Sequence, residues 1–69
     1  MTSKRRAVAA FILQSASEAG IRIGTDGEWL DLLKPRSMTS EVWFGFERAL
    51  IAYREEVIAI IQAEAEVQR

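Results

Sequence analysis

The sequence contains no cysteine and no histidine among its 69 residues. Without these residues a disulfide cannot form, a zinc site lacks its usual ligands, and the enzyme classes that depend on a thiol or an imidazole are excluded. Serine, threonine and lysine are present, but no pattern of neighbours orients one of them as a nucleophile. We therefore expect no catalytic activity, no metal and no cofactor.

Long apolar runs and an excess of one charge are absent as well. Lys4, Arg5 and Arg6 precede an apolar segment that Gln14 and Ser15 end too early for a signal peptide or a membrane span. Nine basic and ten acidic residues give a net charge of −1, without the basic excess that nucleic-acid binders need. We expect a cytoplasmic protein that binds neither membranes nor, in general, nucleic acids.

The short length limits the size of the hydrophobic core. A chain of 69 residues forms one domain, here residues 1–69, near the lower limit for a core that folds alone. Small domains without a disulfide or a metal often gain stability from oligomerisation or from a partner. Self-association is therefore expected before any motif is considered.

The first element is predicted to be a helix over residues 4–19. Ser3 is its candidate N-cap, and Gly20 stands where a glycine commonly ends a helix. A stripe with helical spacing is predicted to face the core. It consists of Val8, Phe11, Ile12, Ser15 and Ala19.

A β-hairpin is predicted next. Residues 21–24 and 28–34 each alternate with period two, and Thr25-Asp26-Gly27 supplies a turn between them. Pro35 cannot donate a hydrogen bond to a strand ladder, so the second strand should end near Lys34.

The remainder of the chain is predicted to be helical. Thr39 is a good N-cap for a helix that starts near Ser40, and two helices that meet near residues 52–54 fit the pattern. The predicted fold is therefore a small α+β domain of order α-β-β-α-α, in which a two-stranded antiparallel hairpin packs on the helices.

The C-terminal helices carry two apolar stripes, more than one face of a helix needs. The first stripe is Trp43, Phe46, Leu50, Tyr53, Val57 and Ile60, and the second is Phe44, Ile51, Ile58 and Ile61. Either a bent helix pair folds both stripes into its own core, or one is left for a second subunit. We predict a homodimer whose interface is drawn from both stripes. Its residues are Trp43, Phe44, Phe46, Leu50, Tyr53, Val57, Ile58 and Ile61.

The hairpin is predicted to offer a second binding surface. A two-stranded sheet has open edges, and the second strand could accept an extended peptide as an added strand. Trp29 would flank this edge, or alternatively lie over a helix. The residues of the predicted docking edge are Glu28, Trp29, Leu30, Asp31, Leu32, Leu33 and Lys34.

Several short segments together resemble a known family, the TubC-type N-terminal docking domains of hybrid nonribosomal peptide and polyketide synthetases. The resemblance covers nearly the whole chain and rests on the order and spacing of the segments. They are Ala19-Gly20-Ile21-Arg22-Ile23, Asp26-Gly27-Glu28-Trp29-Leu30-Asp31-Leu32, Pro35, Thr39-Ser40-Glu41-Val42 and Tyr53-Arg54-Glu55-Glu56-Val57-Ile58-Ala59-Ile60-Ile61.

The resemblance implies an α-β-β-α-α homodimer that binds the C-terminal tail of an upstream synthetase along the hairpin, whether the domain is free-standing or excised. The family's second strand tends to be basic, whereas this one carries Glu28 and Asp31, so a neutral or basic peptide is favoured. One alternative is a phage or mobile-element accessory protein that contacts nucleic acid through Lys4, Arg5 and Arg6. Another is a purely structural oligomer.

Overall fold

The computed structural model describes residues 4–67 and contains three helices and one hairpin within them. Their order confirms the predicted α-β-β-α-α arrangement. The elements are α1 (Lys4–Glu18), β1 (Arg22–Thr25), β2 (Leu30–Leu33), α2 (Ser40–Ala52) and α3 (Arg54–Val67). None of the helices in this part of the chain is long and apolar enough to cross a membrane.

Helix α1 ends in a Schellman motif. The amide of Gly20 donates to the carbonyl of Ser17 and the amide of Ile21 to that of Ala16, both at 3.0 Å. Gly20 has φ of +96°, a conformation that costs little without a Cβ, which confirms its predicted role in stopping the helix. The predicted cap at Ser3 lies outside the described residues.

The two strands pair antiparallel with Ile23 opposite Leu32 and Thr25 opposite Leu30. Strand β2 is shorter than predicted, since it begins at Leu30 and ends at Leu33. Glu28 and Trp29 belong to the connecting loop, for a reason that the loop's hydrogen bonds explain below.

Helices α2 and α3 are separated by Tyr53 alone, within the region predicted for their junction. Thr39 caps α2 as predicted, because its side-chain oxygen accepts from the amide of Val42 at 3.4 Å. The amide of Tyr53 donates to the carbonyl of Ala49 in α2. The carbonyl of Tyr53 accepts a hydrogen bond from the amide of Val57, the first bond of α3. Helix α3 can therefore begin without a glycine or proline between the helices.

The core lies where α1, α2 and α3 meet under the hairpin. Ala9, Ala16, Leu50 and Val57 are fully buried, and Ile21 is nearly so. The predicted core stripe of α1 is therefore right only for Ile12, which packs against the core. Helix α1 turns Ala9 and Ala16 inward and leaves Phe11 71% exposed. Alanine has no side chain beyond Cβ, so it lets α1 approach the other helices closely.

Candidate docking surfaces

The loop between the strands is held by its own side chains. The Asp26 carboxylate accepts hydrogen bonds from the amides of Glu28 and Trp29, both at 2.9 Å. The Thr25 hydroxyl accepts from the Gly27 amide and donates to the Trp29 carbonyl at 2.7 Å. These bonds occupy the backbone of residues 28 and 29, which explains why β2 starts two residues later than predicted.

The same bonds act on the charge of Asp26. The amide of Trp29, and then that of Glu28, stabilises the carboxylate and lowers its pKa below the usual value of 3.8. Gly27 has φ of +103°, which confirms the predicted need for glycine in this turn. The loop is therefore a defined structure that fixes the position of Trp29.

Trp29 lies beside the start of α3 but remains 60% exposed. The guanidinium carbon of Arg54 stands 4.3 Å from the centroid of its ring, a cation–π contact. Of the two predicted roles for Trp29, contact with a helix is observed, and the exposure needed for binding remains as well. A hollow of about 430 Å³ adjoins it. The hollow is lined by Gly27, Glu28, Trp29, Arg54, Glu55 and Ile58.

Strand β2 divides its side chains between core and solvent. Leu30 and Leu32 pack against the core, whereas Asp31 and Leu33 are exposed, Leu33 to 62%. This alternation agrees with the predicted separation of Leu30 and Leu32 from Leu33. Trp29 and Leu33 thus stand exposed at the two ends of β2, a strand that within residues 4–67 pairs only with β1.

The residues predicted for a dimer interface differ in their burial within the subunit. Leu50 and Val57 are fully buried within the subunit and Ile58 is 7% exposed, so these three offer almost no surface to a second copy. That part of the predicted interface is wrong, because the bent α2–α3 pair folds the residues into its own core. Four others are half-buried against the core and only Phe44 is largely exposed. The half-buried residues are Trp43, Phe46, Tyr53 and Ile61.

An apolar groove that the sequence reading missed lies between α1 and α2. It has a volume of about 290 Å³ and its walls are almost entirely apolar. The sequence does carry a signal for this groove, because residues 8, 11, 12 and 15 of α1 share one apolar face. The lining residues are Phe11, Ile12, Ser15, Val42, Gly45, Phe46 and Ala49.

Arg5 is one of the basic residues at the start of the chain. Its side chain connects α1 to the junction of α2 and α3. Its Nε donates to the Glu56 carboxylate at 2.6 Å, its Nη2 donates to the Ala52 carbonyl at 3.0 Å, and its guanidinium lies over the Tyr53 ring at 4.5 Å. The hydrogen bond from Arg5 lowers the pKa of Glu56. A cation beside the last carbonyl of α2 also favours the helix dipole.

Within the described part of the chain, no group of three or more acidic residues could hold a metal ion. Comparison with known protein families, with curated proteins and with solved structures finds no match to this chain.

Proposed function

We propose that this chain is a non-catalytic, cytoplasmic protein-interaction module that forms homodimers and binds an extended peptide as an added strand at β2. The order of its elements is the one that the resemblance to TubC-type docking domains implies. The partner would be the tail of another protein, held along the hairpin.

The observation that carries this proposal is the pair of exposed apolar side chains at the ends of β2. In a two-stranded sheet, part of each strand's backbone amides and carbonyls point away from the other strand. An added strand would pair with these groups, and Trp29 and Leu33 would contact its side chains. A peptide laid along β2 therefore gains both main-chain hydrogen bonds and apolar contacts.

The charges around β2 indicate the kind of peptide. Glu28 and Asp31 are exposed here, and Lys34 follows the strand. Within residues 28–34 the two carboxylates outnumber the single lysine, which favours a neutral or basic peptide over an acidic one. Arg54 holds one side of the Trp29 ring, so little side-chain freedom would be lost when a peptide packs on the indole.

The proposal can be tested with random twelve-residue peptides selected from a displayed library against the intact chain. Selected peptides should be neutral or basic and should shift the amide resonances of Leu30–Leu33 in the labelled protein. Replacing Trp29 by alanine should weaken binding by at least about tenfold, since exposed tryptophans are frequent hot spots. Circular dichroism should show that the variant stays folded.

Phe44→Ala is the matched control, because it removes an aromatic side chain of similar exposure from a helix. It should leave peptide affinity unchanged. Peptides that bind equally well to the Trp29 variant, or that leave the β2 resonances unmoved, would refute docking at the hairpin. Salt-sensitive binding of a DNA duplex that disappears when Lys4, Arg5 and Arg6 become alanine would support the nucleic-acid alternative instead.

A further inference from the structure

Phe11 has the greatest exposure of any large apolar side chain in the described part of the chain, at 71%. It lies at the midpoint of α1, on the side away from the buried Ala9 and Ala16. The groove between α1 and α2 opens beside it, with Val8 and Val42 also exposed nearby. A protruding aromatic ring and an apolar groove thus share one face, here named the α1–α2 face.

Gly45 is one of the residues that line this groove, and it is exposed. A Cβ added at this position would meet no atom within 4 Å. Glycine inside a helix lowers helix stability relative to alanine and usually has a packing or functional reason. Since no neighbour in the subunit requires glycine here, the reason is expected to come from outside it.

The α1–α2 face also has charges of opposite sign at its two ends. Lys4 and Glu18 lie seven residues before and after Phe11, which places both on the Phe11 side of α1. Helices α1 and α2 run antiparallel, because Arg5 contacts Ala52 at one end while the groove joins Ser15 to Val42 near the other.

The charges of α2 do not add to this pattern. Glu41 and Arg48 lie three and four residues from Phe44 and so share its side of α2, away from the groove. Glu18 makes one end of the face acidic, and Lys4 makes the other end basic. A two-fold axis that passes through the centre of the face, perpendicular to α1, brings the acidic end of one copy onto the basic end of another.

We propose that the α1–α2 face is the surface through which two copies of this chain associate. Phe11 of each copy sits over Gly45 of the partner subunit, and Lys4 of each lies near Glu18 of the partner subunit. A two-fold interface joins the same patch of both subunits, so a patch that carries both a protruding ring and a groove can fit onto its own copy. This proposal gives the homodimer of the proposed function its surface, and so rests on that part of it.

The exposed apolar area is adequate for such a contact. Val8, Phe11 and Val42 together expose roughly 250–300 Å² per subunit, taking a whole phenylalanine as about 150–250 Å². An interface of ordinary size buries about 800 Å² per subunit, somewhat more than half of it apolar. The three side chains thus supply over half of that apolar part, and the walls of the groove add to it.

Sedimentation equilibrium of the intact chain tests the proposal. The wild type should be a dimer at high micromolar concentration, and Phe11→Glu should raise the dissociation constant at least about a hundredfold, because it places an unpaired carboxylate in the contact. Phe44→Glu is the matched control, with the same change at a similarly exposed phenylalanine on the other side of α2, and should leave the constant unchanged.

A charge exchange gives a second test that leaves the apolar residues intact. Lys4→Glu should weaken the dimer by about tenfold, and the double variant Lys4→Glu, Glu18→Lys should restore affinity to within about threefold of the wild type. A dimer broken by Phe44→Glu but not by Phe11→Glu would overturn this proposal while leaving the homodimer standing. A wild type that stays monomeric would overturn both, and peptide binding at β2 would be judged separately.

Discussion

Replacing Gly45 by alanine should stabilise the single subunit and weaken the dimer. The position lies inside α2, is exposed, and has open space where the new methyl group would stand. Alanine is about 0.8–1 kcal/mol more favourable than glycine inside a helix. A chain of 69 residues has a total stability of about 3–10 kcal/mol, so the gain is a substantial fraction. The melting temperature of the subunit should rise by about 4–8 °C.

The effect on association has the opposite sign. If Phe11 packs over Gly45 of the partner subunit, the new methyl group occupies space that the ring needs. Overpacking of this kind costs about 1–3 kcal/mol per site. A symmetric dimer contains the clash twice, so the dissociation constant should rise by about 30-fold or more. The same substitution is thus expected to help folding and harm dimerisation.

Thermal unfolding followed by circular dichroism separates the two effects when it is run well below and well above the wild-type dissociation constant. In dilute solution the variant should have a higher melting temperature than the wild type. Its melting temperature should rise less with protein concentration, because association stabilises the folded state by mass action and the variant associates more weakly. An equal rise at both concentrations, with an unchanged dissociation constant, would refute the contact at Gly45. A lower melting temperature of the variant in dilute solution would contradict the open space found above Gly45.

Three further substitutions or conditions test the fold. Leu50→Ala should lower the free energy of unfolding in urea by about 2–5 kcal/mol. Ile51→Ala, at the neighbouring position where the side chain is 56% exposed, should lower it by less than about 1 kcal/mol. Equal losses would contradict the assignment of Leu50 to the core. Thr39→Ala should cost about 1 kcal/mol through the lost cap, and Thr39→Ser should retain most of that stability. Folding lowers the pKa of Asp26, so the stabilisation from its carboxylate is present at neutral pH and is lost as the pH falls below the usual value of 3.8. The difference in melting temperature between the wild type and Asp26→Asn should therefore shrink at low pH. A difference that stays constant with pH would contradict the role of the Asp26 charge.

The order and the ends of the elements could be predicted because each has a local cause. Gly20, Thr39 and Pro35 act on their immediate neighbours, so their effects do not depend on the rest of the fold. The predicted start of β2 is two residues too early, although the cause of its true start is also local. An Asp-Gly pair whose carboxylate binds the next amides is a known turn pattern, and Asp26 followed by Gly27 is such a pair.

The facing of α1 could not be predicted from its own sequence, because two of its faces are apolar. One face carries Val8 and Phe11, and the other carries Ala9 and Ala16. Choosing by side-chain size favours the first, but the close approach of the helices favours the second. This choice depends on the distance between elements, which a single sequence does not contain.

The exposed apolar residues explain why a chain this small should have two binding surfaces. In the described residues only Leu50 and Val57 are large and fully buried, so the core holds few of the apolar side chains that the sequence provides. Exposed residues form one group at the hairpin around Trp29 and one around Phe11 beside an apolar groove. Phe44 and Ile51, seven residues apart on the other side of α2, are exposed as well. Single exposed apolar residues are ordinary, but groups next to a concavity indicate contact with another molecule. Because the two groups lie on different elements, a dimer formed through α1 and α2 leaves the edge of β2 open to a peptide.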